Sequence, residues 1–141
     1  MSIHNYSWTA TYLITICSEH SEPIFENHEL QGILRKAWEA LPARFQGLEL
    51  DEFVIMPDHV HFILRIEGNV EKPVPLGRVI GAYKSITTVE WLRHIKTRGL
   101  EVVGILWQRG YHDRILPDND ALEAARLYVR NNPLKSPDGA I

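Results

Sequence analysis

His59 and His61 stand two residues apart in Met56-Pro57-Asp58-His59-Val60-His61-Phe62-Ile63-Leu64. On a strand, successive side chains point to opposite faces of the sheet. The two imidazoles therefore share a face with Ile63 and Arg65, while Val60, Phe62, Leu64 and Ile66 make the other face apolar. Two imidazoles at this spacing can bind one metal ion without backbone distortion, although a pair alone falls short of a full ligand set. The plainer reading of the pair is two polar residues on the wet face of a strand. Seventy residues on, Tyr128 and Asn132 stand at i and i+4 in Tyr128-Val129-Arg130-Asn131-Asn132-Pro133. They are neighbours on one helical face, and Tyr128 can lie beside a core-facing Val129 without itself being a core residue. Taken alone, this is a tyrosine at the edge of an amphipathic helix.

The elements that must position these residues follow from periodicity. Trp8 to Cys17 is rich in β-branched and aromatic residues and reads as a central strand. Asn27 caps a predicted helix from His28 to Leu41, with Leu30, Ile33, Leu34, Ala37, Trp38 and Leu41 on its buried face and Pro42 as its end. Leu48 to Met56 and His59 to Ile66 are predicted strands separated only by Pro57-Asp58, hence an antiparallel hairpin. A surface loop over 67–75 leads to a long helix from Leu76, whose apolar rhythm runs through Tyr83 and Thr87 toward Ile95 and stops at Gly99. Val102 to Gln108 and Tyr111 to Leu116 read as two more strands in a hairpin across Arg109-Gly110. A last helix, capped by Asp118, buries Leu122, Ala125 and Val129 and stops before Pro133, with a frayed tail from Ser136. The order β-α-β-β-α-β-β-α predicts an α+β fold, a ferredoxin-like antiparallel sheet with packed helices and an added strand and helix. The histidine-bearing face must then meet a helix or open into a cleft.

The chain of 141 residues is the size of one domain, with no repeat or low-complexity segment. No apolar run reaches the roughly 20 residues of a membrane span and no signal peptide is visible, so a cytoplasmic location is expected. Cys17, the single cysteine, excludes an intrachain disulfide and reads as a buried strand residue rather than a nucleophile. The net charge of −3 weighs against a nucleic-acid partner, but its distribution does not. Residues 1–77 carry five Lys/Arg against eleven Asp/Glu, and residues 78–135 carry ten against six. Such asymmetry permits a basic face on an acidic protein.

Three segments together resemble the HUH single-tyrosine transposases, in the branch associated with repetitive extragenic palindromes. They are Met56-Pro-Asp-His-Val-His, Leu106-Trp-Gln-Arg-Gly-Tyr-His-Asp-Arg and Tyr128-Val-Arg-Asn-Asn-Pro-Leu-Lys. The resemblance extends from the Tyr12-Leu-Ile-Thr strand through Gly81-Ala-Tyr-Lys-Ser to Lys135, so residues 1–141 read as one such domain. It implies an enzyme that breaks and rejoins single-stranded DNA beside small hairpins through a 5′-phosphotyrosine and a free 3′-OH. Carried over, His59 and His61 become metal ligands, Asn132 a third ligand through its amide, and Tyr128 the nucleophile. The implied cofactor is a divalent cation, Mg²⁺ in the family, although a mixed N/O ligand set suits Mn²⁺ better. Such an ion stabilises charge on the non-bridging oxygens of the attacked phosphodiester. Lys84, Arg109, Arg114, Arg130 and Lys135 become candidate phosphate contacts, which position DNA without reading its sequence. Tyr111, Trp107 or Tyr83 could stack an unpaired base, with core packing the alternative. His112 and Asp113, adjacent on a strand, face opposite ways, one toward the site. Family members include monomers and dimers with shared sites, so a homodimer is open. Two rivals stand beside this reading: a noncatalytic hairpin-DNA-binding relative, and a metal-dependent hydrolase in which Tyr128 is incidental. The intact His59, His61, Tyr128 and Asn132 disfavour the first, and the sparse ligand set disfavours the second.

Overall fold

The structure is a computed structural model and describes residues 9–102 and 104–135. Its elements are β1 (Ala10–Cys17), α1 (His28–Arg44), β2 (Leu48–Met56), β3 (His59–Ile66), α2 (Leu76–Arg98), β4 (His112–Ile115) and α3 (Asn119–Lys135). Two short 3-10 turns, Glu19–Ser21 and Ile24–Glu26, lie between β1 and α1. The strands form one antiparallel sheet in the order β2-β3-β1-β4. This is the expected α+β, ferredoxin-like arrangement with α3 added to it.

Alternation along β1 and β3 divides the molecule into two apolar clusters. Ile14, Ile16, Val60, Phe62 and Leu64 face α1 and α2, where Leu34, Trp38, Val79, Ile80 and Tyr83 complete the larger core. Leu13 and Ile63 face the other way and, with Val54, Met56 and Leu116, receive Ala125 and Val129 of α3. The helix the histidine face had to meet is therefore α3.

Several boundaries fall where the residues dictate. Asn27 accepts hydrogen bonds through Oδ1 from the backbone of Glu29 and Leu30 at 3.0 Å, capping α1. Gly99 adopts φ 65°, the left-handed conformation that ends α2. Asp118 Oδ1 accepts from Ala121 N at 2.9 Å at the start of α3.

Four expectations are corrected. Neither Pro42 nor Pro133 stops its helix: α1 continues to Arg44 and α3 to Lys135. Each proline stands two residues before the helix end, where it forfeits one hydrogen bond of a helix that the preceding turns already hold. Val102–Gln108 is not a strand of the sheet and makes no hairpin with the next segment. Instead Gly104 packs so close to Leu92 of α2 that any Cβ there would collide with it, and Trp107 donates its indole N–H to Thr87 Oγ1 at 3.0 Å. This segment touches the sheet edge only through the Ser18–Trp107 bridge. Tyr111–Leu116 supplies β4, which pairs with β1 itself and makes the sheet's fourth strand, so the added strand is absent among the described residues. Cys17 is half-buried rather than buried, although burial and the nearby Asp58 carboxylate raise its thiol pKa and keep it protonated. The expectations for Trp8 and for the tail from Ser136 lie outside the described residues.

Candidate active site

The sheet register places the histidines in two cross-strand rows. Val54, His61, Thr15 and His112 make one row across β2, β3, β1 and β4, and Met56, His59 and Cys17 make the next. His61 is buried beneath α3, and the edge of its ring meets Tyr128 with centroids 5.2 Å apart and planes at 64°. Tyr128 stays 47% exposed, so its phenol reaches both the histidine and solvent. The neighbouring Val129 is 1% exposed and anchors the helix that carries it.

Both imidazoles are held at Nδ1. His59 Nδ1 bonds Asp58 Oδ1 at 2.7 Å, and His61 Nδ1 bonds Thr15 Oγ1 at 2.9 Å. When each Nδ1 carries the proton and donates, both Nε2 lone pairs turn to one point; the two Nε2 atoms lie 3.1 Å apart. Burial, and then the proximity of His59, lowers the pKa of His61 to about 4, so its ring is neutral at physiological pH. A neutral imidazole whose second nitrogen is anchored is the form that ligates metals. Adjacent ligand atoms each about 2.1 Å from one ion lie roughly 3.0 Å apart in an octahedral shell and about 3.4 Å apart in a tetrahedral one. The pair thus fits an octahedral divalent cation. Among the described residues no group of three or more His, Cys, Asp or Glu gathers that could hold a metal ion. Asn132 lies one helical turn beyond Tyr128 on α3.

The helix bearing Tyr128 is fastened to β2 by two ion pairs. Arg126 grips Asp51 through Nη2–Oδ2 at 2.7 Å and Nε–Oδ1 at 2.9 Å, and Arg130 Nε donates to Glu52 Oε2 at 2.8 Å. Consecutive strand residues ordinarily face opposite ways, but the register of β2 shifts between Leu50 and Phe53. Leu50 pairs with Leu64 and Phe53 with Phe62, so Asp51 and Glu52 both stand opposite Ile63, on the α3 side. The bulge aims two carboxylates at one helix.

The sequence pattern shared by IS200-like transposases matches residues 6–132 of this chain. The chain belongs to the IS200-like transposase family. An uncharacterized protein of Haemophilus influenzae is 28% identical to this IS200-like transposase, over 93% of the present chain and 84% of its own. The fold of the present chain is similar to that of a tyrosine transposase associated with REP elements, solved bound to a REP hairpin, with a TM-score of 0.65, 16% identity and coverage of 89% of this chain and 67% of that one. It is also similar to a candidate transposase of Deinococcus radiodurans, with a TM-score of 0.58, 18% identity and coverage of 88% and 91%. Among the described residues, no helix of this family member is long and apolar enough to cross a membrane.

The cations expected on DNA are scattered. Arg114 lines a cavity of about 290 Å³ with Leu13, Thr15, His112, Asp113 and Tyr128, beside the histidine row. Arg109 is exposed in the turn that Gly110 makes at φ 80°. Lys84 is committed elsewhere: its ammonium donates to the carbonyls of Gln108 and Gly110 at 2.9 and 2.6 Å and props that turn. Arg130 is held by Glu52, and Lys135 closes α3. Tyr83 and Trp107 are core residues and Tyr111 packs half-buried against them. His112 is the member of its pair that faces the site, sharing the row of Thr15 and His61. Sequence reasoning missed Thr15, the anchor of His61, and the Asp51-Glu52 pair. The signal for the latter was two acids interrupting the alternation of Leu48-Glu-Leu-Asp-Glu-Phe-Val-Ile-Met.

Proposed function

We propose that this family member is a metal-dependent transposase that cuts and rejoins single-stranded DNA beside hairpins, with Tyr128 as nucleophile. The observation that carries the proposal is the edge-on contact of Tyr128 with His61, whose Nε2 faces that of His59. The REP hairpin on the structurally similar tyrosine transposase supports hairpin DNA as the substrate. His59, His61 and the amide of Asn132 would hold a divalent cation, Mg²⁺ or Mn²⁺. That ion supplies Lewis-acid stabilisation of the charge on the non-bridging phosphate oxygens.

Tyr128 gives up its phenolic proton, and its oxygen attacks the scissile phosphorus. The bond from phosphorus to the 3′-oxygen breaks, and that oxygen takes up a proton to become a 3′-OH. The downstream strand remains on Tyr128 as a 5′-phosphotyrosine, and attack by a 3′-OH reverses the step. The phosphodiester's bond energy is conserved, so rejoining needs no nucleotide cofactor. Asp58 and Thr15 fix the two rings, and Val129 with the Arg126 and Arg130 ion pairs fixes the helix. Arg114, which lines the cavity beside Tyr128, would meet a phosphate flanking the break.

Labelled hairpin-bearing oligonucleotides, run on a denaturing gel after incubation with Mg²⁺ or Mn²⁺ against EDTA, test the proposal. A metal-dependent adduct, lost in Tyr128→Phe, is expected. Binding without an adduct would favour a noncatalytic binder, and free product insensitive to Tyr128→Phe a hydrolase.

A further inference from the structure

Arg44, Lys72 and Arg78 come from three separate parts of the chain and meet in one cleft. They line a cavity of about 560 Å³ together with Phe45, Gln46 and Pro73–Pro75. All three are exposed, and none makes an ion pair among the described residues. No acidic residue lines the cleft. By contrast Arg65, Arg93, Arg98, Arg126 and Arg130 each pair with a carboxylate. Pro75, at the N-cap of α2, offers no side-chain cap, so the first turn of that helix presents its positive end in the cleft wall. Three uncompensated cations brought together on a protein of net charge −3 repel one another, and an anion relieves that cost.

The cleft is remote from Tyr128. It lies past Ile66, the end of β3 opposite His59, which strand geometry puts about 23 Å away. Its walls belong to α1, α2 and the loop between β3 and α2, on the side of the sheet that α3 does not cover.

We infer that Arg44, Lys72 and Arg78 form a second phosphate-binding site, which holds the DNA backbone away from the point of cleavage. The inference rests on the proposed function for the identity of its anion. The phosphates belong either to a duplex stem or to the single strand leading from it, and the two are separable by substrate. An exposed cleft of this size holds a backbone segment rather than reading bases, so it contributes affinity and position.

The test is the salt dependence of binding, measured by fluorescence anisotropy with three oligonucleotides: a hairpin with a single-stranded flank, the stem alone, and the flank alone. Each phosphate contact made by a cation contributes about 0.9 to the slope of log K against log salt on duplex and about 0.7 on a single strand. Arg44→Ala/Lys72→Ala/Arg78→Ala should lower the slope by about 2.7 for the stem substrates if the site holds duplex, or by about 2.1 for the flank if it holds single strand. Lys36→Ala/Lys96→Ala removes two exposed cations outside the cleft and should change the slope less than Lys72→Ala/Arg78→Ala does. An equal change in the two pairs, or unchanged slopes for all three oligonucleotides in the triple variant, would overturn the inference. These readings need no adduct, so failure of the covalent chemistry in the wild-type protein would appear separately.

Discussion

Each imidazole of the His59–His61 pair is held by the residue behind it. Thr15 accepts from His61 and Asp58 from His59, and each bond turns a lone pair toward the shared point. Thr15→Val keeps the shape of the side chain and removes the acceptor. It should weaken Mn²⁺ binding about 10- to 100-fold, the usual cost of losing such an anchor, as read by calorimetric titration of the DNA-free protein. An unchanged dissociation constant would remove Thr15 from the site. Period 2 and period 3.6 made legible which neighbours share a face with the histidines and with Tyr128, while their roles came from the resemblance of three ordered motifs to a transposase family. Thr15 was not: it meets His61 only through the β1–β3 register, and nothing local announces a pairing across 46 residues.

At the scale of elements, what matters is how α3 is held. Its apolar contact is narrow, Ala125 and Val129 with Leu122 and Ala121 beside them. Val129→Ala should cost about 1–2 kcal/mol in chemical denaturation and lower adduct formation. Arg126→Ala removes a partly exposed ion pair and should cost little stability, yet it frees the helix from β2, so adduct yield should fall by more than stability does. Equal proportional losses in the two assays would show that the Asp51 grip contributes only to folding. Helix and strand bounds were readable over Leu48–Ile66 and Leu76–Gly99, where caps, turn residues and periodicity agree. They failed at Val102–Gln108, whose strand-like composition serves packing on α2, and at the two prolines, whose effect depends on how much helix precedes them. The bulge at Asp51 and Glu52 was hidden because it is a property of two paired strands.

For the whole molecule, His61, one of the proposed metal ligands, and the main core lie on opposite faces of the sheet. The larger cluster needs no ion to form, so EDTA should leave the melting temperature of the DNA-free protein almost unchanged. Mn²⁺ should raise it only through binding to the folded state, which adds about 2.7 kcal/mol of stability at a hundredfold excess over its dissociation constant. His61→Ala should abolish that rise, and a persistent rise would place the ion elsewhere. The fold class was legible at this scale because the order of elements and the short Pro57-Asp58 turn leave few sheets to build. The convergence of Arg44, Lys72 and Arg78 was not, since Arg44 and Lys72 are diluted in the acidic stretch 1–77 and Arg78 opens the basic stretch that follows.

The small cluster beneath α3 shares no buried residue with the large one. Among the described residues only Ala125 and Val129 of α3 are buried in it, so backbone amides of α3 should exchange with solvent before those of β3. Activity would then be lost on gentle heating at temperatures where circular dichroism still reports an intact sheet. The helix proposed to carry the nucleophile should thus melt below the sheet on which it rests.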